Sequence, residues 1–284
     1  MTLCIFIARS YLGIMQTLTD STALTRNRAR ATTTFLRDRV AADVQERLQE
    51  VNRTFTQPLI VTPTPAIWAR ILPDAATMPP TDVLDVRPGV HDLVIHDLSL
   101  HWADDPVGQL VQARHALMPD GLFIGTLFGG QTLHELRACL AQAEAQVTGG
   151  LSPRVAPMAE IRDLGGLLYR AGLALPVADG DTLRIRYRDA HALMHDLRTM
   201  GEGNALAARQ RHATRRAVMA VAADLYGTHF AHPDGGITAT FEVITLTGWA
   251  PADSQPQPLR PGSATARLAD ALGTAETPLR PQGD

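Results

Sequence analysis

Two short apolar runs constrain this chain most: LVI at 93–95 and LFIGTLF at 122–128. Each is too short to cross a membrane as a helix and suits a strand buried on both faces. Between them, residues Val107 to Leu117 have helical length, and MPDG follows with Pro119 and Gly121 as stop signals. The same order occurs upstream. Leu59, Ile60 and Val61 form a strand-like run, and Ile67, Trp68, Ile71 and Leu72 then recur at helical spacing, predicting a helix near 66–72. Strand alternating with helix argues for a mainly parallel sheet covered on both faces. Ligands of such sheets lie beyond the carboxyl ends of the strands. That singles out Thr62 to Ala66, His96 to Trp102 and Phe128 to Thr132.

Around this unit the pattern predicts further elements. Residues 20–52 read as one helix with a loose stripe of Phe35, Leu36, Val40, Val44 and Leu48. Arg26, Arg28, Arg30, Arg37 and Arg39 fall on its other faces and read as solvated. PDAATMPPTD reads as loop, and VLDV as a short strand. TLHELRACLAQAEAQV is an amphipathic helix, with Thr132 as N-cap and Glu135 at its third position. AEIRDLGGLLYRAGL is helical and stops at Gly172. LALPVAD and TLRIRYR read either as two strands or as a hairpin turning at Gly180-Asp181. Helices near 189–200 and 205–226 precede a last strand, ATFEVITLTGWAP. The expected organisation is an N-terminal extension and helix (1–52), an α/β domain (53–250) with a helical insertion near 189–226, and a proline-rich tail (251–284).

Bulk properties exclude several classes. The 284 residues, 45% apolar and 19% charged, describe a globular protein with a substantial core. A net charge of −3 gives no reason to expect nucleic acid or an anionic membrane as partner. All 26 basic residues are arginine. Cys4 and Cys139 form neither a metal cluster nor a disulfide framework, and no metal site is expected. The opening MTLCIFIARSYLGI is broken by Arg9, so no stable membrane insertion is expected and the expected compartment is the cytoplasm. Met1 and Met15 are both possible starts.

Several residues carry candidate chemistry, each beside a structural alternative. His96, Asp97 and His101 follow a strand; they either line a ligand pocket, with His101 as a base near neutral pH, or pack a loop anchored by Trp102. Phe128, Gly129, Gly130 and Thr132 either admit a ligand to the backbone or form a capped turn. Ser152, Pro153 and Arg154 form a polar loop that contacts a substrate or simply turns the chain. Glu202 and Asn204, in MGEGNA, either face the pocket or end a helix.

The order DLVIHDLSLHW, helix, LMPDGLFIGTLFGG resembles the second half of a class I S-adenosylmethionine-dependent methyltransferase. GGQTLHELR, GGLSPRVAP, DLGGLLYRAG, DLRTMGEGNA, TATFEVI and GWAPADSQPQPLRPGSA sharpen the resemblance to one branch. That branch contains the biotin-pathway malonyl carrier-protein methyltransferase and a respiratory complex I assembly factor, the second being the better match. It runs from about residue 91 to 265, with weaker similarity over RNRARA and QERLQEVNRTF. The resemblance implies a Rossmann-like class I methyltransferase fold with extra helices before the last strand. It also implies S-adenosylmethionine as cofactor and a protein substrate, a complex I subunit among the possibilities. Methylation is the family's chemistry; oxidative modification of an arginine is the assembly branch's. Cofactor contacts would fall on Thr62, Thr64, Asp82, His96, Asp97 and Leu98, catalytic roles on His101 and Glu202, and substrate contacts on Trp102, Arg154 and Asn204.

The chain departs from that pattern at its first strand. Relatives place a glycine loop there, because glycine permits close backbone approach and positive φ. Here the slot reads Val61-Thr62-Pro63-Thr64-Pro65-Ala66, and each proline removes an N–H donor. Only residues 62 to 92 separate this strand from the next one of the pattern, and one βαβ unit takes roughly 30 residues. The fold is therefore expected to be shortened in its N-terminal half by a strand-helix unit, along with the acidic residue that would hold the ribose. A degenerate, cofactor-free assembly or scaffold protein is the alternative reading.

Overall fold

The computed structural model describes residues 17–256, 269–270 and 273–274. The two candidate start methionines, Cys4 and most of the proline-rich tail lie outside the described residues. Contacts divide the chain into Met1–Pro251 and Ala252–Asp284. In the second unit, residues 252–256 hold a turn closed by Gln255 N–H on the Ala252 carbonyl. The sheet and its helices belong to the first unit.

Six strands form one mixed sheet in the order β2-β1-β3-β4-β6-β5. They are β1 (Pro58–Val61), β2 (Ala76–Met78), β3 (His91–His96), β4 (Leu117–Phe128), β5 (Ala174–Tyr187) and β6 (Ile237–Trp249). The first four run parallel; β6 joins β4 antiparallel, and β5 joins β6 antiparallel. The helices are α1 (Ser21–Ala29), α2 (Phe35–Glu50), α3 (Pro65–Ile71), α4 (Pro106–Ala116), α5 (His134–Thr148), α6 (Ile161–Arg170), α7 (Ala190–Thr199) and α8 (Arg216–His229).

The period-2 alternation of the central strands sets two apolar faces. Ile60, Leu93, Ile95 and Ile124 pack under α2 and α3 with Ala41, Val44, Ile67 and Trp68. Leu59, Val94 and Phe123 face the other way, against α4 and α6 with Leu110, Ala113, Leu164 and Leu168. Each buried Leu, Ile, Val or Phe among them contributes about 1.5–3 kcal/mol relative to exposure. A third cluster lies where α5, α7 and α8 pack on β6 around Tyr226 and Phe241.

The structure corrects several expectations. The helix over 20–52 is two helices, interrupted at residues 30–34, where the N–H groups of Thr32 and Thr33 leave the helix for the Thr199 carbonyl. VLDV is not a strand; the short edge strand is ATM, inside the expected loop, and Val83 is exposed. LALPVAD and TLRIRYR are neither separate strands nor a hairpin but one strand, because both halves pair with β6 and Gly180 sits mid-ladder opposite Ile244. Thr132 does not cap α5. Leu133 takes that place at φ 54° without a side-chain cap, while Thr132 exchanges hydrogen bonds with the Glu242 backbone. The segment 205–215 is loop, and the last helix starts at Arg216. The sheet is parallel only in its first four strands.

Candidate functional site

At the end of β1 the chain runs Thr62-Pro63-Thr64-Pro65. Pro65 occupies the first turn of α3, where a missing N–H is harmless and φ is preset. The Thr62 hydroxyl accepts from the Thr64 N–H at 3.0 Å and donates to Asp97 Oδ2 at 2.7 Å. The turn is thus organised by a side-chain bond across to the residue that follows β3.

Asp97 is 1% exposed and follows β3. After it, Leu98 adopts φ 38°, a left-handed conformation that costs a non-glycine residue energy and needs surroundings to hold it. Those surroundings are its N–H on Thr126 Oγ1 at 2.8 Å and its carbonyl, which accepts from Arg37 Nη2 at 3.3 Å. Arg37, at the start of α2, also donates to Glu202 Oε1 at 2.9 Å and lies 3.6 Å from Asp97 Oδ2. Both side chains of the Arg37–Glu202 pair are buried, at 7% and 9% exposure.

Glu202 then links to the 3-10 turn at Leu100–Trp102: Trp102 Nε1 donates to Oε2 at 2.7 Å, and His101 Nε2 lies 3.5 Å from the same oxygen. Burial by itself would raise the Glu202 carboxyl, but His101 and the Arg37 charge outweigh it and hold the group well below the usual carboxylate range. Burial lowers the His101 pKa, with Glu202 opposing. His101 Nδ1 accepts from the Phe128 N–H at 3.4 Å, so the ring proton sits on Nε2, facing Glu202.

This cluster forms the floor of a cavity of about 590 Å3. Its walls are Leu133, Leu136 and Leu140 from α5, Met194 and Leu197 from α7, Met219 from α8, and Phe241 from β6. Arg30, Arg154 and Arg198 also line it. Arg154 is tied to Glu144 at 2.7 Å and to Thr214 at 2.6 Å, whereas Arg30 and Arg198 are exposed.

The sequence candidates divide accordingly. His101, Trp102 and Glu202 come together at the floor, and Arg154 and Asn204 line the same cavity. The Asn204 amide is engaged with the Pro153 carbonyl and the Leu206 N–H. Thr62, Asp97 and Leu98 form the adjoining cluster, and the Thr64 hydroxyl sits 3.4 Å from that of Thr62. His96 is buried, its Nε2 3.4 Å from Gln109 Oε1; burial takes its pKa down to about 4. Asp82 is exposed, and its carbonyl accepts from Gln109 and Gln112. Among the described residues no group of three His, Cys, Asp or Glu side chains could hold a metal, and no helix is long and apolar enough to cross a membrane.

The arginines of α1 and α2 are the correction here. Arg37 is buried in the network, and the Nε and Nη2 atoms of Arg28 are buried too. Local periodicity cannot find them, because the groups that surround them, residues 97–98 and 202 for Arg37, are distant in sequence. Only the RNRARA resemblance touched this region.

No protein-family model matches the sequence. Curated relatives do. The mitochondrial arginine-hydroxylase NDUFAF5 of Danio rerio is 38% identical over 199 residues, covering 70% of this chain and 62% of that protein. The human NDUFAF5 is 37% identical over the same share of this chain and 57% of its own length. The malonyl-[acyl-carrier protein] O-methyltransferase of Xylella fastidiosa is 35% identical, covering 64% of this chain and 58% of that protein. The chain therefore spans about six tenths of the length of these relatives. Among solved structures, protein BH2331 of Bacillus halodurans aligns with a TM-score of 0.47 at 10% identity, over 72% of this chain and 97% of that one. That likeness adds nothing to the strand order and pairing of the sheet. The chain is a homologue of the NDUFAF5 arginine hydroxylases and the malonyl-[acyl-carrier protein] O-methyltransferases over about six tenths of their length, built on a Rossmann-like sheet whose β1 runs into Thr62-Pro63-Thr64-Pro65.

Proposed function

We propose that this chain is an S-adenosylmethionine-dependent methyltransferase-family protein that acts on a protein partner, a respiratory complex I subunit, during assembly of that complex. The observation that carries this reading is the cavity of about 590 Å3 over the His101–Trp102–Glu202 floor, at the carboxyl end of the sheet. Its wall of leucines and methionines suits a flexible side chain of variable shape. The exposed Arg30 and Arg198 suit an acidic partner surface. The name of the malonyl-[acyl-carrier protein] O-methyltransferase relative supports the methyltransferase chemistry, whereas the NDUFAF5 relatives are named arginine hydroxylases.

The cofactor would supply an electrophilic methyl group. At the carboxyl end of β3, Arg28 Nε and Nη2, His96 Nδ1 and Asp97 Oδ1 are buried polar atoms without partners. They fit the charged, amino-acid end of such a cofactor. The ribose end is less well served: β2 runs into Met78-Pro79-Pro80, and the Asp82 side chain is exposed. In this reading Thr62, Thr64, His96, Asp97 and Leu98 border the cofactor, and Trp102, Arg154 and Asn204 the partner. Trp102 helps to exclude water from the floor. His101 Nδ1 is taken by the Phe128 N–H, and Nε2 lies 3.5 Å from Glu202 Oε2 without a hydrogen bond, which suits positioning better than proton abstraction. The proposed compartment is the cytoplasm, whereas the NDUFAF5 relatives are named as mitochondrial.

A second reading, a cofactor-free assembly protein, is favoured by Pro63, Pro65 and the Thr62–Asp97 bond in the place of a glycine loop. Titration with S-adenosylmethionine and S-adenosylhomocysteine, followed by heat and by melting temperature, separates the two. Ligand at 100 times its dissociation constant stabilises a fold by about 2.7 kcal/mol. Saturable binding supports the first reading, and no heat or shift at millimolar ligand supports the second. Capture of a complex I subunit from solution tests the partner.

A further inference from the structure

Arg28, in the last turn of α1, carries an unusual burden. Its Nε and Nη2 atoms form one edge of the guanidinium, the edge that grips a carboxylate with two parallel hydrogen bonds. Both atoms are buried and neither has a hydrogen-bond partner. The charges of Glu202, Arg37 and Asp97 all act on this guanidinium, and its own charge acts on His96. The end of α1 also packs on the loop that carries Glu202: a Cβ at Gly201 would come 3.0 Å from the Arg28 Cα, and Asn27 Nδ2 donates to the Gly203 carbonyl at 3.0 Å. Arg37 is engaged there with Glu202 and the Leu98 carbonyl, and Glu202 also receives Trp102. Two acceptors in the same cluster remain open. Asp97 Oδ2 is taken by Thr62, but Oδ1 is buried and unpartnered, and so is His96 Nδ1.

Buried donor atoms of a cation that make no hydrogen bond are costly to the fold. Residues that carry such a cost and converge on one place are those expected to meet a ligand. Here the open groups that carry charge are one bidentate donor edge and one carboxylate oxygen, with the neutral His96 Nδ1 beside them. Their complement is a carboxylate beside an ammonium.

We propose that Arg28 and Asp97 form a receptor for an α-amino-acid head group, with the carboxylate on the Arg28 fork and the ammonium on Asp97 Oδ1. This rests on the cofactor reading and deepens it: the two side chains would grip the amino-acid end of S-adenosylmethionine, which a glycine loop does not do here. Asn27 and Arg30, on either side of the fork in sequence, line the large cavity, so the head group would lie next to the partner's site.

Calorimetric titration of the full chain tests this with three probes: S-adenosylhomocysteine, 5′-methylthioadenosine, which has the nucleoside without the head group, and free methionine. S-adenosylhomocysteine is expected to bind saturably and methylthioadenosine at least about tenfold more weakly, the share of one charge-assisted contact. Arg28→Gln should weaken S-adenosylhomocysteine by about tenfold or more without lowering the melting temperature of the unliganded protein, because it deletes an unpaired buried charge. Arg28→Lys, which keeps the charge, should recover part of the affinity, and Asp97→Asn should weaken binding while keeping an acceptor for Thr62. Equal binding of the two nucleosides, or full affinity in Arg28→Gln, overturns the receptor and leaves the cofactor reading standing. Binding of methionine without S-adenosylhomocysteine supports the receptor and overturns the cofactor reading. Binding of none of the three overturns both.

Discussion

Replacing Arg37 by Met removes the cation that joins α2 to the turn after β3 and to the 202 loop. The methionine fills most of the volume, so the loss is chiefly polar. Glu202 Oε1 loses its 2.9 Å donor and the Leu98 carbonyl its 3.3 Å donor, in surroundings where both side chains of the ion pair are under a tenth exposed. Breaking a buried pair by removing one partner costs about 3–5 kcal/mol, because the remaining charge is stranded. For a domain of this size that lowers Tm by about 6 to 20 °C. Urea unfolding at neutral pH measures the free-energy change, and the effect should shrink in acid. In the native protein the Glu202 pKa is held below its unfolded value of 4.5, so its contribution is present above that value and is lost as pH falls through the depressed folded pKa. Without Arg37 the depression is smaller, so less stability is lost on acidification and the two proteins converge below pH 4.5. The double variant Arg37→Met, Glu202→Met should be more stable than the single one, since the Glu202 charge is no longer there to be stranded. A loss under about 1 kcal/mol at neutral pH, or a double variant worse than the sum of the singles, would refute this account of the network.

Other substitutions probe the rest of the fold and the cavity. His96→Gln should flatten the pH dependence of Tm between 6.5 and about 4: burial keeps His96 neutral there while the unfolded chain takes up a proton, so native stability falls with pH across that window. Gly201→Ala should cost at least about 1 kcal/mol in denaturant unfolding, since φ is +80° and a Cβ would come 3.0 Å from the Arg28 Cα. Trp68→Ala should cost about 3–5 kcal/mol, because the side chain is fully buried between α2, α3 and the sheet; far-UV circular dichroism and urea melts read the loss. Met194→Trp, at a half-buried position of the cavity wall, should obstruct the cavity and reduce capture of the protein partner.

The strands at 58–61, 91–96 and 237–249 and the helices α3, α4 and α6 were legible because their signals are local. An apolar run bounded by turn residues, or a 3.6-residue stripe, needs no partner to be read. The edge strand ATM was not legible: with an exposed face it carries no run, and only pairing with β1 makes it a strand. Gly180-Asp181 looked like a turn, yet β6 pairs along both sides of it and keeps it extended. At the site, residues 96–102 and 202 were marked by type and resemblance. The MPDG turn, too, is a bulge inside β4 with Asp120 at φ 61°, which a stop signal alone does not reveal.

By itself, then, the sequence determined the alternation of strand and helix, the buried middle of the sheet and the absence of a glycine turn after β1. Each is a property of neighbouring residues. The tertiary structure alone decided which arginines leave the surface. Arg28 and Arg37 sit on helices whose local pattern makes them solvent-facing. Arg37 meets Glu202 across 165 residues of chain, and Arg28 comes under the charges of Asp97 and Glu202. Desolvating a charge is worthwhile only where partners from distant segments converge, and that convergence is a property of the folded sheet and its crossing helices.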